Sequence, residues 1–490
     1  MGKVKHVAET YAAEMDENQL DTITILPIPE IKSINEKNVE LERHFQNILT
    51  EDNKLSRPIV SFQANKKIAS FRWYKYKEAF SSSLVDYFIN KLHLQGKKIL
   101  DPFAGIGTTL FSVSSLGCNT IGIELLPIGQ KIIEARINAH YGRLKEDLHD
   151  IDTVIKTKPW LTFKKKKPLN ELRITKNAYP TDTKEIIESY LSFLETKNTF
   201  IKQIYELALL SILEEISYTR KDGQYLRWDY RANRSWGAKK FDKGRIEKFD
   251  DAITRKLKEI RDDLKGHQNL FLFDNKEDIK KGEIFLINGS CLEELPKFER
   301  NSIDAVITSP PYCNRYDYTR TYALELALLG IDEQRLSELR QNMLSCTVEN
   351  REKDLLKMNP SWLTAINAVE KVELLNSILE YLIEARKKKL LNNNGIIRMI
   401  KGYFYEMACV IYELHRILNR NGYVVLVNDN VRYAGVDIPV DLILSKTAEN
   451  IGFKINRILV LPQKKGNSSQ QMGLHGRTEL RKCVYIWAKV

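Results

Sequence analysis

Between Lys98 and His140 the chain spells out one supersecondary unit almost in full. A short apolar strand, Lys98-Ile99-Leu100, runs into Asp101-Pro102-Phe103-Ala104-Gly105-Ile106-Gly107-Thr108-Thr109. A helix follows, then a second strand, Thr120-Ile121-Gly122-Ile123, which ends on Glu124, and a second helix to His140. Strand, glycine turn, helix and strand form the βαβ opening of a Rossmann-like parallel sheet. The two glycines let the backbone turn tightly and approach a ligand with no Cβ in the way. A carboxylate ending the second strand is placed to accept both hydroxyls of a nucleotide ribose. Position 110 is Leu, where the dinucleotide fingerprint has its third glycine, so NAD is disfavoured.

A second motif, Thr308-Ser309-Pro310-Pro311-Tyr312, follows the apolar strand Ile303-Asp304-Ala305-Val306-Ile307. Two prolines end ladder pairing and remove two N–H donors, leaving carbonyls that must find other partners. The loop therefore offers the Ser309 Oγ, the Pro310 carbonyl and an aromatic face at one fixed point. That suits a planar exocyclic amine: two acceptors bind its N–H groups while the ring stacks on Tyr312. The competing reading is a rigid turn with a packed tyrosine, and it loses weight because the first motif stands in the same chain.

Together, Asp-Pro-Phe-Ala-Gly-Ile-Gly-Thr-Thr and Thr-Ser-Pro-Pro-Tyr resemble the S-adenosylmethionine-dependent DNA amino-methyltransferases, which methylate N4 of cytosine or N6 of adenine. Leu286-Ile287-Asn288-Gly289-Ser290-Cys291-Leu292 is similar to the family's third cofactor motif, and residues 422–453 to its late strand, glycine loop and helix. The resemblance covers about 60–140, 283–320 and 396–490, roughly half of the chain. It implies an α/β fold, a Rossmann-like class I methyltransferase sheet with large, mainly helical insertions. It also implies S-adenosylmethionine as cofactor, held by Asp101 near the amino-acid end, Phe103, Gly105, Gly107 and Thr108 along the turn, Glu124 on the ribose and Ser290 near the adenine. Ser309 and Pro310 would hold the target amine and Tyr312 would stack on the base. The family usually has Gly-Asp where this chain has Gly289-Ser290, so the adenine end loses charge assistance. Its Ser-Pro-Pro-Tyr form leans toward cytosine-N4, and Asp- or Asn-Pro-Pro-Tyr toward adenine-N6. The amine chemistry requires neither a covalent enzyme intermediate nor a metal, and a base inside a duplex must be flipped out to be reached.

The 490 residues divide into an N-terminal extension (1–56), a cofactor-binding half (57–140), an inserted target-recognition region (141–282) and a catalytic half (283–490) with a helical insertion at about 320–395. The 141–282 insertion carries 31 Lys+Arg against 24 Asp+Glu. Inside it, residues 221–244 interleave Arg227, Arg231 and Arg234 with Trp228 and other aromatics, the composition of a nucleic-acid surface. A core-packed aromatic loop with surface charge is the equal competitor. Arg315, three residues beyond Tyr312, stands near the flipped nucleotide or its phosphate, and helix entry competes there too. His475 in the glycine-rich segment before the last strand reads as solvated, with Arg477 and Arg481 as phosphate contacts. A helix with Ser83 as its cap is expected to bury Leu84, Val85, Phe88, Ile89 and Leu92.

The formal charge of +12 votes weakly for a polyanion partner. Six scattered cysteines without a Cys-x-x-Cys pair speak against a zinc site or a disulfide framework. No run approaches a membrane span and no secretory signal opens the chain, so the cytoplasm is expected. The reading is a site-specific DNA (cytosine-N4)-methyltransferase acting on double-stranded DNA, with a cognate restriction endonuclease as its possible companion. An adenine-N6 enzyme and an RNA amino-methyltransferase are the enzymatic alternatives, and a catalytically silent DNA-specifying subunit is the non-enzymatic one.

Overall fold

The structure is a computed structural model that describes residues 28–462 and 479–490, apart from 57, 145–146, 165, 223–224, 233, 235–239 and 274–279. His475 and Arg477 lie outside the described residues. In chain order the strands are β1 (Leu49–Glu51), β2 (Ile99–Asp101), β3 (Thr120–Glu124), β4 (Thr219–Asp222), β5 (Tyr225–Trp228), β6 (Ile284–Asn288), β7 (Ile303–Thr308), β8 (Leu418–Asp429), β9 (Val431–Tyr433), β10 (Val436–Ile438), β11 (Lys454–Val460) and β12 (Lys482–Ala488). The helices that frame the site are α1 (Ile28–Phe45), α2 (Ser82–Lys91), α3 (Thr108–Ser115), α4 (Pro127–His140), α5 (Thr199–Ile216), α6 (Phe249–Phe273), α7 (Ala323–Leu328), α8 (Ile396–Ile417) and α9 (Val440–Ile451).

Eight strands form one sheet in the order β1-β11-β12-β8-β7-β2-β3-β6. Neighbours run parallel, except that β12 is antiparallel to both β8 and β11. Because side chains alternate across a strand, the central strands feed two cores. Ile99, Ala305, Ile307, Val425, Val427, Val484 and Ile486 pack with Leu84, Val85 and Phe88 of α2. Their neighbours Leu100, Val306, Val424, Leu426, Tyr485 and Trp487 pack with α8 and α9 on the other face. Both faces are covered, as a mainly parallel sheet requires.

α2 begins at Ser82, one residue before the expected cap, and Leu92 falls just beyond its end, half-buried. Ser81 precedes the helix, but its hydroxyl donates to the Ile59 carbonyl instead of capping. The N-terminal extension is stitched to the sheet. β1 pairs with β11, Lys37 donates to the Ser377 hydroxyl at 2.7 Å, and His44 lies 2.8 Å from Glu449 of α9.

The 141–282 insertion is helical apart from the β4–β5 hairpin among its described residues. It shares a core with Leu126, Ile128 and Ile132 on the β3–α4 side, and with Tyr322, Leu324 and Leu326 beyond the second motif. The insertion is thus packed against both halves of the catalytic framework. No described helix is long and apolar enough to cross a membrane. All six cysteines are buried free thiols.

Candidate active site

The strand order reverses at β2, which sends its chain toward β3 on one side and lies beside β7 on the other. Loops at the carboxyl ends of such a pair open onto a crevice, and both motifs emerge there. A hydrogen bond joins them. The Thr308 hydroxyl, fully buried, donates to Asp101 Oδ1 at 2.6 Å, and the Phe103 N–H donates to the same oxygen at 3.1 Å. Burial lifts the Asp101 pKa to about 6 against the opposing pull of those donors.

The glycine turn needs its glycines. Gly105 and Gly107 have φ of +58° and +80°, the left-handed region that L side chains resist. Glu124, 8% exposed, closes the turn from the adjacent strand. Its Oε2 accepts the Gly105 N–H at 2.6 Å and its Oε1 accepts the Leu126 N–H at 2.7 Å. Burial pushes its pKa up to about 8, the two N–H groups oppose the shift, and the nearby Asp101 charge adds to it. Each oxygen still has lone pairs for a further donor. The Thr108 hydroxyl oxygen, buried at the start of α3, has no protein partner. Phe103 sits half-buried against the main core.

Two supports of this turn escape a sequence reading. A Cβ on Gly129 would stand 2.3 Å from the Gly105 carbonyl oxygen and 2.8 Å from Glu124 Cγ, so α4 approaches the turn only because that residue is glycine. Arg136, 1% exposed, donates to the Ile106 carbonyl at 2.7 Å, with its guanidinium 4.3 Å from the Phe71 ring centroid and 3.9 Å from that of Phe111. Burial lowers its pKa to about 9. The only clue to Gly129 is a glycine in a helix interior.

The second loop is anchored on the opposite side of the crevice. Ser309 Oγ donates to the Val427 carbonyl of β8 at 3.1 Å and lies 3.3 Å from the Tyr312 hydroxyl. With its proton engaged, the Ser309 oxygen keeps lone pairs to accept. Pro310 is buried, and Ser309 and Tyr312 are half-buried. Lys482 Nζ of β12 lies 3.5 Å from the Tyr312 hydroxyl and 3.3 Å from Asp429 Oδ1. Beyond the loop, the Tyr316 and Tyr322 hydroxyls donate to the two oxygens of Glu78. Tyr76 stacks on Tyr322 with centroids 5.1 Å apart and stands against Gly105. The crevice thus holds a buried acid at the end of each of two strands, a glycine turn and a proline-stiffened loop with a serine hydroxyl beside an aromatic ring.

The profile described as DNA methylase matches residues 10–135. Over 462 residues the chain is 54% identical to the Type II methyltransferase M.AvaI of Nostoc sp., covering 94% of each chain. Over 478 residues it is 41% identical to the Type II methyltransferase M.BsoBI of Geobacillus stearothermophilus, covering 92% of each. This chain belongs to the N4/N6 DNA amino-methyltransferase family.

In this methyltransferase the remaining candidate residues are distributed unevenly. Ser290 follows β6, whose Asn288 pairs with Glu124, so it stands at the same sheet edge. It is buried and donates its proton to the Asn342 carbonyl at 3.0 Å, which leaves its oxygen an acceptor only. Arg227 on β5 pairs with Asp222 at 3.2 Å and lies 4.1 Å from the Phe241 ring centroid. Arg231 grips Asp229 through both carboxylate oxygens at 2.7 and 2.9 Å, holding that acid down to about 2. Arg234 donates to the Arg173 and Ile174 carbonyls and lies over Trp228 at 4.1 Å. Among the described residues of 221–244, Arg227 and Arg231 pair within the segment and Arg234 ties it to residues 173–174, with Tyr230 at 51% exposure on its surface. Arg315 has φ of +67° and donates Nη1 to Asn392 at 3.2 Å, while its buried Nε has no partner. Arg481 departs from the expectation of a phosphate contact: Asp441, at 2.9 Å, and Glu42 take its guanidinium.

Proposed function

We propose that this methyltransferase transfers a methyl group from S-adenosylmethionine to the exocyclic N4 amine of a cytosine flipped out of double-stranded DNA. The observation that carries the reading is the Thr308–Asp101 hydrogen bond, which fixes the glycine turn and the Ser309–Tyr312 loop side by side at the strand switch point. A cofactor loop and an amine-binding loop held together that rigidly suit direct transfer between their two ligands.

S-adenosylmethionine fits the residues present. Glu124 has spare lone pairs for the ribose hydroxyls, Thr108 has an unpartnered buried hydroxyl, and Gly105 and Gly107 leave the turn bare. Asp101 serves the amino-acid end and Ser290 accepts from the adenine amine. When bound, S-adenosylmethionine supplies an electrophilic sulfonium methyl group. The chain's own task is to make a poor nucleophile reactive, because the lone pair of an aryl amine is delocalised into its ring. Ser309 Oγ and the Pro310 carbonyl accept the two N–H groups, which favours a pyramidal nitrogen and localises that lone pair. Tyr312 stacks on the extruded base and fixes its plane. Serine at position 309, in place of Asp or Asn, supports cytosine over adenine.

The β4–β5 hairpin and the surrounding insertion supply target recognition, with Arg227 and Trp228 nearest to the bases and Arg231 and Arg234 stiffening the element. Arg315 contacts a phosphate of the flipped nucleotide. The relatives' description as Type II methyltransferases supports a role as the modification half of a restriction system. The test is direct. Purified protein is incubated with unmodified duplex DNA and S-adenosylmethionine, the DNA is digested to nucleosides, and methylated bases are measured by mass spectrometry. N4-methylcytosine is the expected product. N6-methyladenine in its place overturns the target assignment, and methylation of RNA alone overturns DNA as the substrate.

A further inference from the structure

Lys482 opens β12, the one strand that runs against its neighbours in the sheet. In register it faces Asp429 at the end of β8. Its side chain is 17% exposed and that of Asp429 18%, so the pair is largely withdrawn from water. An ammonium placed there has to be compensated. Asp429 gives one counter-contact at 3.3 Å, and the Tyr312 hydroxyl, at 3.5 Å, gives the other. The same nitrogen lies 5.4 Å from the Tyr312 ring centroid.

Neighbouring contacts hold this arrangement in place. Arg481, the preceding residue, is held by Asp441 of α9 and Glu42 of α1. Asp429 sits two residues beyond Val427, whose carbonyl accepts from Ser309. The loop is therefore tied to the β8–β12 ladder at two points: Ser309 to a backbone carbonyl, and Tyr312 to a lysine. Backbone partners on a rigid sheet are hard to change, whereas the lysine tie acts only on the outer end of one ring.

We propose that Lys482, held by Asp429, is a positioning residue that fixes the Tyr312 ring through its hydroxyl in the orientation that stacks on the extruded base. This rests on the reading of Tyr312 as the stacking surface. Without the tie the ring retains its Cα placement but gains freedom about χ1 and χ2, and that freedom must be lost again each time a base is seated. The penalty falls on the extruded complex and the transfer step, and leaves the cofactor turn on the other side of the crevice untouched.

The test is a double-mutant cycle on the full chain with Lys482→Met and Tyr312→Phe, read by single-turnover methylation of target DNA and by cofactor affinity. Lys482→Met is expected to slow transfer about tenfold, the usual loss for a hydrogen bond to a charged group, with cofactor affinity unchanged. Tyr312→Phe removes only the hydroxyl that Lys482 reaches, so in that background Lys482→Met should add little further loss. Lys482→Arg should restore part of the rate. Should Lys482→Met fail to fold, Tyr312→Phe carries the test alone, and a wild-type transfer rate in that variant overturns the proposal. Additive losses in the cycle, or an equal fall in cofactor affinity, also overturn it and assign Lys482 a general structural role. If the wild-type protein transfers no methyl group to DNA, the reading of the site fails first, and the two failures are distinct.

Discussion

Replacing Thr308 by Val removes one hydroxyl and almost nothing else. Thr308 is fully buried at the end of β7, and its proton goes to Asp101 Oδ1 at 2.6 Å. After the change, the carboxyl keeps the Phe103 N–H at 3.1 Å and the Thr109 side chain as donors. The penalty depends on the charge of Asp101, whose pKa is about 6. At pH 5 the carboxyl is mostly protonated and the lost bond is neutral, worth about 1 kcal/mol. At pH 8 it is ionised, and losing a charge-assisted bond costs about 2–3 kcal/mol. The excess penalty at pH 8, about 1.4 kcal/mol, corresponds to a rise of about one unit in the Asp101 pKa of the variant. Urea denaturation of wild type and Thr308→Val at both pH values measures the difference, and an Asp101→Asn background should flatten it. A penalty that is equal at the two pH values, or larger at pH 5, refutes the argument that this bond holds a buried titrating acid.

If Ser309 accepts from the amine as proposed, Ser309→Ala should leave cofactor affinity largely intact and cut turnover about 100-fold or more, as single-turnover rates would show. Gly129→Ala should weaken cofactor binding in calorimetry and lower stability by about 1–3 kcal/mol, because the new methyl meets the Gly105 carbonyl at 2.3 Å. Glu124 gives a pH signature. Its folded pKa, about 8, lies above its ordinary value of 4.5, so it favours the folded state below pH 4.5 and loses that contribution as pH rises through 8. The melting temperature of wild type relative to Glu124→Gln should therefore fall between pH 5 and pH 9, and a relative rise would show that the burial argument has the wrong sign.

The sheet and both motifs were legible because their signals are local. A strand, a glycine turn and a terminal acid lie within 27 consecutive residues from Lys98 to Glu124, and Pro-Pro marks its own strand end. Most supports of the site were illegible because they join residues far apart in the chain. Thr308 meets Asp101 across 207 positions, Tyr322 meets Glu78 across 244, and Lys482 meets Tyr312 across 170. No periodicity carries such pairs. Composition left two readings open at 221–244. Arginine beside tryptophan suits nucleic acid, but it also suits internal packing: Arg231 donates to the Gly244 carbonyl within the segment, and Arg234 donates to the Arg173 and Ile174 carbonyls outside it.

The same long-range contacts explain why so large an insertion leaves the crevice ordered. Lys221 of β4 is buried against Glu325 of α7, whose carboxylate also accepts from the Tyr74 hydroxyl at 2.8 Å. The lysine lies 4.4 Å from the Tyr322 ring centroid, and Tyr322 in turn stacks on Tyr76 beside Gly105. A buried pair of this kind adds little net stability, since desolvation offsets most of its attraction, but breaking it would strand a charge. Its consequence is geometric. Lys221 has one low-energy seat, so the hairpin carrying Arg227 and Trp228 has one register relative to the helix that follows Tyr312. An insertion packed only by apolar contacts could slide by a methylene at small cost, and a charge that must meet its partner cannot. Under the proposed function, in which the hairpin reads the sequence and the Ser309–Tyr312 loop receives the base, that fixed register sets which nucleotide is extruded.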